Sequence, residues 1–102
     1  MARQIRPARP AFLFDLDGTL IDTVYQHILA WSEAVEAAGI QVSKWRIHRR
    51  IGMSDGLILR ALERETGTRI TEKQKRQMSK VHGERFRERW SAVRPVPGAR
   101  EL

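Results

Sequence analysis

Hydrophobic positions change rhythm along the chain, and each rhythm predicts a different element. Phe12, Leu13 and Phe14 form a continuous apolar run. A short run of that kind reads as a buried strand, and it leads straight into Asp15-Leu16-Asp17-Gly18. From Val24 the apolar spacing alternates between four and three, through Ile28, Trp31, Val35 and Ala38. That is one face of a helix, with Asp22 or Thr23 as its cap and Gly39 as its stop. Trp31 lies inside the stripe, which assigns it to packing rather than to a substrate platform. Tyr25 and His27 sit on the first turn, where a lone histidine is ordinarily structural or solvated.

Three more helices are predicted. Ser43 caps the first, over residues 44–51, with Trp45, His48 and Ile51 or Gly52 on one side. Ser54 caps the next, over residues 55–65, where Leu57 or Ile58, Ala61 and Leu62 form the buried stripe and Gly67 ends the run. Thr71-Glu72-Lys73-Gln74 has the spacing of a capping box. It opens a long helix reaching Trp90, with Met78, Val81, Phe86 and Trp90 on one face and Gly83 as a soft spot. The remaining faces are rich in Lys and Arg, as expected of an amphipathic helix in water. Pro95 and Pro97 then prevent further helix.

The net charge is +7, from 19 Lys and Arg against 12 Asp and Glu. A basic balance suits nucleic acid or small anions drawn in by the field. No zinc-finger spacing, aromatic RNA-binding signature or glycine-arginine repeat accompanies the charge, so nucleic acid is not the expected partner. Cysteine is absent, which excludes disulfides and thiolate chemistry. No apolar run approaches the roughly 20 residues that cross a bilayer. Residues 1–6 lack the pattern of a secretory signal, and Arg3, Arg6 and Arg9 read as a solvated tail. The expected location is the cytoplasm, without a membrane partner.

The stretch with chemistry is Asp15-Leu16-Asp17-Gly18-Thr19. Asp15 would stand at the carboxyl end of the strand, where open α/β sheets place ligands. It could attack phosphorus and form an aspartyl-phosphate. Asp17, two residues on, could protonate the leaving oxygen and then activate water. Gly18 allows a sharp turn, and Thr19 brings a hydroxyl and a backbone N–H to the same point. A hard cation such as Mg²⁺ takes oxygen ligands, which Asp15 and a nearby carbonyl offer. His82 receives no role, and Glu63 and Glu65 do not define a metal site.

Asp15-Leu16-Asp17-Gly18-Thr19-Leu20 resembles the first motif of the haloacid dehalogenase superfamily. Ile21-Asp22-Thr23 continues it as in phosphatase and phosphomutase members of the phosphoglycolate phosphatase and β-phosphoglucomutase kind. The resemblance implies that Asp15 is the nucleophile, Asp17 the general acid and base, and that Asp15 and the Asp17 carbonyl bind magnesium. Gly18 and Thr19 would help bind substrate. Members that attack carbon halides lack the second aspartate, so Asp17 favours phosphorus chemistry.

The implied fold is α/β. Residues 1–21 would begin a Rossmann-like core, 22–92 would be an inserted helical cap, and 93–102 would return to the core. The core would be incomplete, because the family's later motifs have no counterpart on this chain. The expected function is a magnesium-dependent phosphatase acting on small phosphate monoesters such as phosphoglycolate or a sugar phosphate. The 102 residues alone are expected to be inactive. A phosphomutase, or an inactive helical interaction module, is the alternative. Arg49 and Arg50, beside Gly52, are candidate substrate contacts, since an arginine fork matches phosphate oxygens.

Overall fold

The computed structural model describes residues 6–102. The readings of Arg3 as solvated tail and of the chain start as non-secretory lie outside the described residues, Arg6 excepted. Arg6 and Arg9 are exposed.

Four α-helices dominate the described residues: α1 Val24–Ala37, α2 Lys44–His48, α3 Asp55–Thr66 and α4 Glu72–Glu88. Their apolar faces meet in one core containing Ile28, Trp31, Val35, Ile47, Ile58, Leu62 and Met78. The α1 stripe is buried as its spacing predicts, with Val24 and Ala38 partly covered at its ends. α1 packs mainly on α4, and α2 packs on α1. The capping box of α4 is complete: Gln74 donates its N–H to Thr71 Oγ1, and Thr71 donates its own to Gln74 Oε1. Gly67 ends α3 at φ +68°, in the left-handed region that glycine enters without a Cβ clash.

Ion pairs tie the helices at their edges. Glu33 on α1 meets Arg85 on α4 at 3.4 Å and Arg89 just beyond it. Glu65 on α3 accepts from Arg46 and Arg50.

The structure corrects several expectations. α2 stops at His48, and residues 49–53 form turns. Its fully buried residue is Ile47, while Trp45 is exposed and lies beneath the guanidinium groups of Arg46 and Arg49. A helix this short offers the core little more than one side chain, and Ile loses nothing by full burial. Trp45 instead stacks with cations at the surface. On α3 the expected stripe holds with Ile58, Ala61 and Leu62 buried, Ile58 rather than Leu57 being its first member, and Leu59 is buried beside it. α4 ends before Trp90, which opens a short 3-10 turn and is exposed.

The largest departure is at Phe12–Phe14. These residues form no strand, and all three side chains are exposed, Leu13 at 98%. A strand satisfies its backbone only through a paired neighbour, and among the described residues none lies alongside. The pairing that does form is elsewhere. β1, Ile21–Asp22, runs antiparallel to β2, Arg94–Pro95, with Ile21 opposite Pro95 and Asp22 opposite Arg94. Val96 extends the contact by donating its N–H to the Leu20 carbonyl at 2.9 Å. The chain therefore enters and leaves the helical region through two adjacent segments.

Candidate active site

Asp15, Asp17, Gly18 and Thr19 fall on one turn ahead of α1. The turn is built around Leu16, whose carbonyl accepts N–H groups from Thr19, Leu20 and Ile21 at 3.0–3.3 Å. Gly18 donates its N–H to the Ile21 carbonyl at 2.8 Å. Its φ is +75°, and a Cβ there would lie 2.8 Å from Val24 Cγ2. Conformation and space both demand glycine. Thr19 Oγ1 donates to Asp15 Oδ2 at 3.4 Å on the exposed side of the turn.

Asp17 is held from α1. Thr23, 1% exposed, donates its hydroxyl to Asp17 Oδ1 at 2.6 Å. Thr23 is the N-cap residue of α1, yet its side chain makes no capping bond. His27, one turn along α1, brings Nε2 within 3.3 Å of the same oxygen. Among the described residues, the other carboxylate oxygen, Oδ2, has no hydrogen-bond partner.

Behind His27 stands His82 of α4, with its Nε2 3.1 Å from His27 Nδ1. Phe86 stacks on His27 at 4.1 Å and 6°, and Trp31 stacks on His82 at 4.3 Å and 15°. Burial pushes the His82 imidazole down to about 4; His27 acts in the same direction and Asp55 opposes it. His82 is therefore neutral at pH 7.

A cleft of 420 Å³ opens over the turn, lined by Asp15, Asp17, Gly18, Val24, His48, Ile51 and Gly52. The structure brings Asp15, Asp17 and Gly18 to this cleft, whereas Thr19 is not among its lining residues and bonds to Asp15. Arg49 and Arg50 are not among its lining residues. Arg49 lies over Trp45, its guanidinium carbon 5.5 Å from the ring centroid. Arg50 is paired with Glu65, and this contact holds the Glu65 carboxyl below the usual range. The basic residue on the cleft wall is His48.

Sequence reasoning missed Thr23 as a partner of Asp17, and it gave His27 and His82 no task. Thr23 and His27 are four apart, on one side of a helix start, and that spacing was the available signal. Nothing in the sequence joins His82 to a residue 55 positions earlier.

The donors fit magnesium in type but not in number. Asp15 and the Asp17 carbonyl are hard oxygen ligands, as the ion prefers. Among the described residues no group of three or more His, Cys, Asp or Glu side chains is arranged to hold a metal. Nor is any described helix long and apolar enough to cross a membrane.

Comparison with known proteins fixes the family. The chain is similar in fold and sequence to a hydrolase from Pseudomonas syringae, with 48% identity and a TM-score of 0.83 over 84% of this chain. It spans 39% of the length of that hydrolase. No curated protein matches. The pattern of the haloacid dehalogenase-like hydrolases matches residues 12–102, which include the turn and all four helices. The chain belongs to the haloacid dehalogenase-like hydrolase family.

Proposed function

We propose that this chain carries the nucleophile turn and the helical cap of a phosphatase acting on small phosphate monoesters. The observation that supports it most is the asymmetric seat of Asp17. Thr23 and His27 both engage Oδ1, which leaves Oδ2 to exchange a proton at the cleft. Asp15 borders the same cleft with its carboxylate exposed.

In the proposed reaction an Asp15 oxygen attacks phosphorus as the bond to the ester oxygen breaks. Asp17 gives that oxygen its proton, and the alcohol leaves. Asp17, now ionised, takes a proton from water, and the resulting hydroxide attacks the aspartyl-phosphate. Phosphate departs, Asp15 is freed as its carboxylate, and Asp17 again carries its proton. Bound magnesium would offset the negative charge shared by Asp15 and the phosphate. Asp15 and the Asp17 carbonyl would contribute to its site, with the remaining ligands from other residues. Residues 22–92 would close over the turn and exclude water from the charged centre. Paired β1 and β2 are suited to the hinge of such a closure.

Val24, His48, Ile51 and Gly52 would face the substrate's organic part, and Gly18 and Thr19 its phosphoryl group. Among the described residues Arg49 makes a stacking contact with Trp45 and no ion pair, so its guanidinium can turn to meet substrate. A panel of phosphate monoesters, including 2-phosphoglycolate and hexose phosphates, tests the proposal on the protein as its gene encodes it, with Mg²⁺ present. Phosphate release that Asp15→Asn abolishes is expected. Absence of release from every ester, or full activity in Asp15→Asn, would overturn it. Conversion of a hexose 1-phosphate to its 6-phosphate without free phosphate would indicate a mutase.

A further inference from the structure

The mechanism above uses Asp17 but leaves a half-buried histidine on α4 without a task. We propose that His82 is a positioning residue, which holds the His27 ring so that its Nε2–H points at Asp17 Oδ1. The inference rests on the proposed role of Asp17 as general acid and base.

The geometry is specific at each contact. His27 has two ring nitrogens, and each meets one partner: Nε2 faces Asp17 Oδ1 at 3.3 Å, and Nδ1 faces His82 Nε2 at 3.1 Å. The planes of the two imidazoles are inclined to each other by only 18°, with the ring centroids 5.3 Å apart, and the facing nitrogens are at hydrogen-bond distance. Phe86 and Trp31 cover one ring each, which resists rotation of either.

Proton counting then fixes the arrangement. Asp17 Oδ1 accepts whether the carboxyl is ionised or carries its proton on Oδ2, so His27 must carry a proton on Nε2. When His27 is neutral, its Nδ1 is bare and His82 donates Nε2–H to it. When His27 is charged, its Nδ1–H donates to a bare His82 Nε2. In both states a neutral His82 satisfies Nδ1 and keeps Nε2 on Asp17. A charged His82 would serve only the first, and its burial beside His27 disfavours that charge. The other titratable groups facing this pair are Asp17 on the turn and Asp55 at the start of α3. Fixing the far nitrogen of a histidine sets its tautomer and direction. Thus α4, which contributes no residue to the 420 Å³ cleft, would control the aim of the acid.

Three variants test this in the protein as its gene encodes it. His82→Phe keeps an aromatic ring against Trp31 but offers Nδ1 no partner. His82→Gln places an amide near the same point, able to donate or accept. His27→Phe/His82→Phe asks whether His82 acts through His27. Two substrates are compared: glycerol phosphate, whose alkoxide needs a proton to leave, and p-nitrophenyl phosphate, whose phenolate does not. His82→Phe should lower kcat/KM for glycerol phosphate about tenfold, the scale of lost supporting contacts. It should change p-nitrophenyl phosphate far less. His82→Gln should recover most of the loss, and the double variant should be no worse than His27→Phe alone. Equal losses on both esters without recovery by glutamine, or additive losses in the double variant, would overturn the role.

Ring-nitrogen NMR separates this from failure of the phosphatase proposal. His27 should show one fixed state with Nε2 protonated in the unaltered protein and in His82→Gln, and mixed tautomers in His82→Phe. Mixed tautomers in the unaltered protein would refute the positioning role, whether or not either ester is hydrolysed.

Discussion

Thr23 shows how one side chain can serve the site at the expense of its helix. An N-cap threonine ordinarily accepts from the N–H groups of the first turn, and losing that bond costs about 1 kcal/mol. Here the hydroxyl is buried against Asp17 and caps nothing. Thr23→Val keeps the shape and removes the hydroxyl. The expected outcome is a drop of about tenfold in kcat, the scale of one bond of roughly 1.4 kcal/mol, with little change in helix content by circular dichroism. A large loss of helicity with kcat preserved would show that Thr23 serves α1 instead. Arg49 and Arg50 separate in the same way. Arg50→Ala should lower the denaturation midpoint, since it leaves Glu65 with only Arg46. Arg49→Ala should leave the midpoint unchanged, and raise KM if the side chain reaches substrate. At this scale the sequence disclosed Asp15, Asp17 and Gly18, because their types and spacing define the turn locally. It did not disclose His82, whose partner is fixed only when α4 packs on α1.

At the level of elements, the helices were legible and the strand was not. Helices satisfy their own backbone, so the stripe through Ile28, Trp31 and Val35, the stop at Gly67 and the box at Thr71 could be read locally. Phe12–Phe14 has the composition of a strand, but a strand exists only beside another. β1 and β2 escaped notice for the same reason, since the pairing of Asp22 with Arg94 leaves no periodic trace in so short a segment. The helical contacts also set the response to acid. Glu33 is held below its ordinary range by the Arg89 hydrogen bond, Glu63 by the Ile70 N–H, and Glu65 by Arg50. Such depressed carboxylates stabilise the fold above about 4.5 and lose that contribution as pH falls through their folded values. His82 acts in a higher window. Between 6.5 and about 4 the unfolded chain binds a proton that the folded chain refuses, so stability falls as pH drops across that range. Urea midpoints should decline in both windows, and His82→Phe should flatten the upper one. A midpoint unchanged from 6.5 to 4 would contradict the partial burial of a neutral His82.

The described residues form a helical bundle entered and left through β1 and β2, with the acidic turn at the point of entry. That layout joins the two parts of the proposed chemistry. Asp15 lies on the exposed segment before the bundle, whereas Asp17 is tethered to the bundle through Thr23 and His27. A movement of the helices would therefore carry the proton donor relative to the nucleophile, as gating by closure requires. The measurement that tests this division of labour most directly is trapping of the covalent intermediate. The protein as its gene encodes it, and its Asp17→Asn variant, are mixed with p-nitrophenyl phosphate and Mg²⁺, quenched in acid and mapped by mass spectrometry. The phenolate leaves without a donated proton, so the first step survives in Asp17→Asn while attack by water slows. A phosphoryl group should accumulate on Asp15 in Asp17→Asn, with less in the unaltered protein and none in Asp15→Asn. Turnover with no phosphoryl group on Asp15, or a phosphoryl group on another residue, would contradict it.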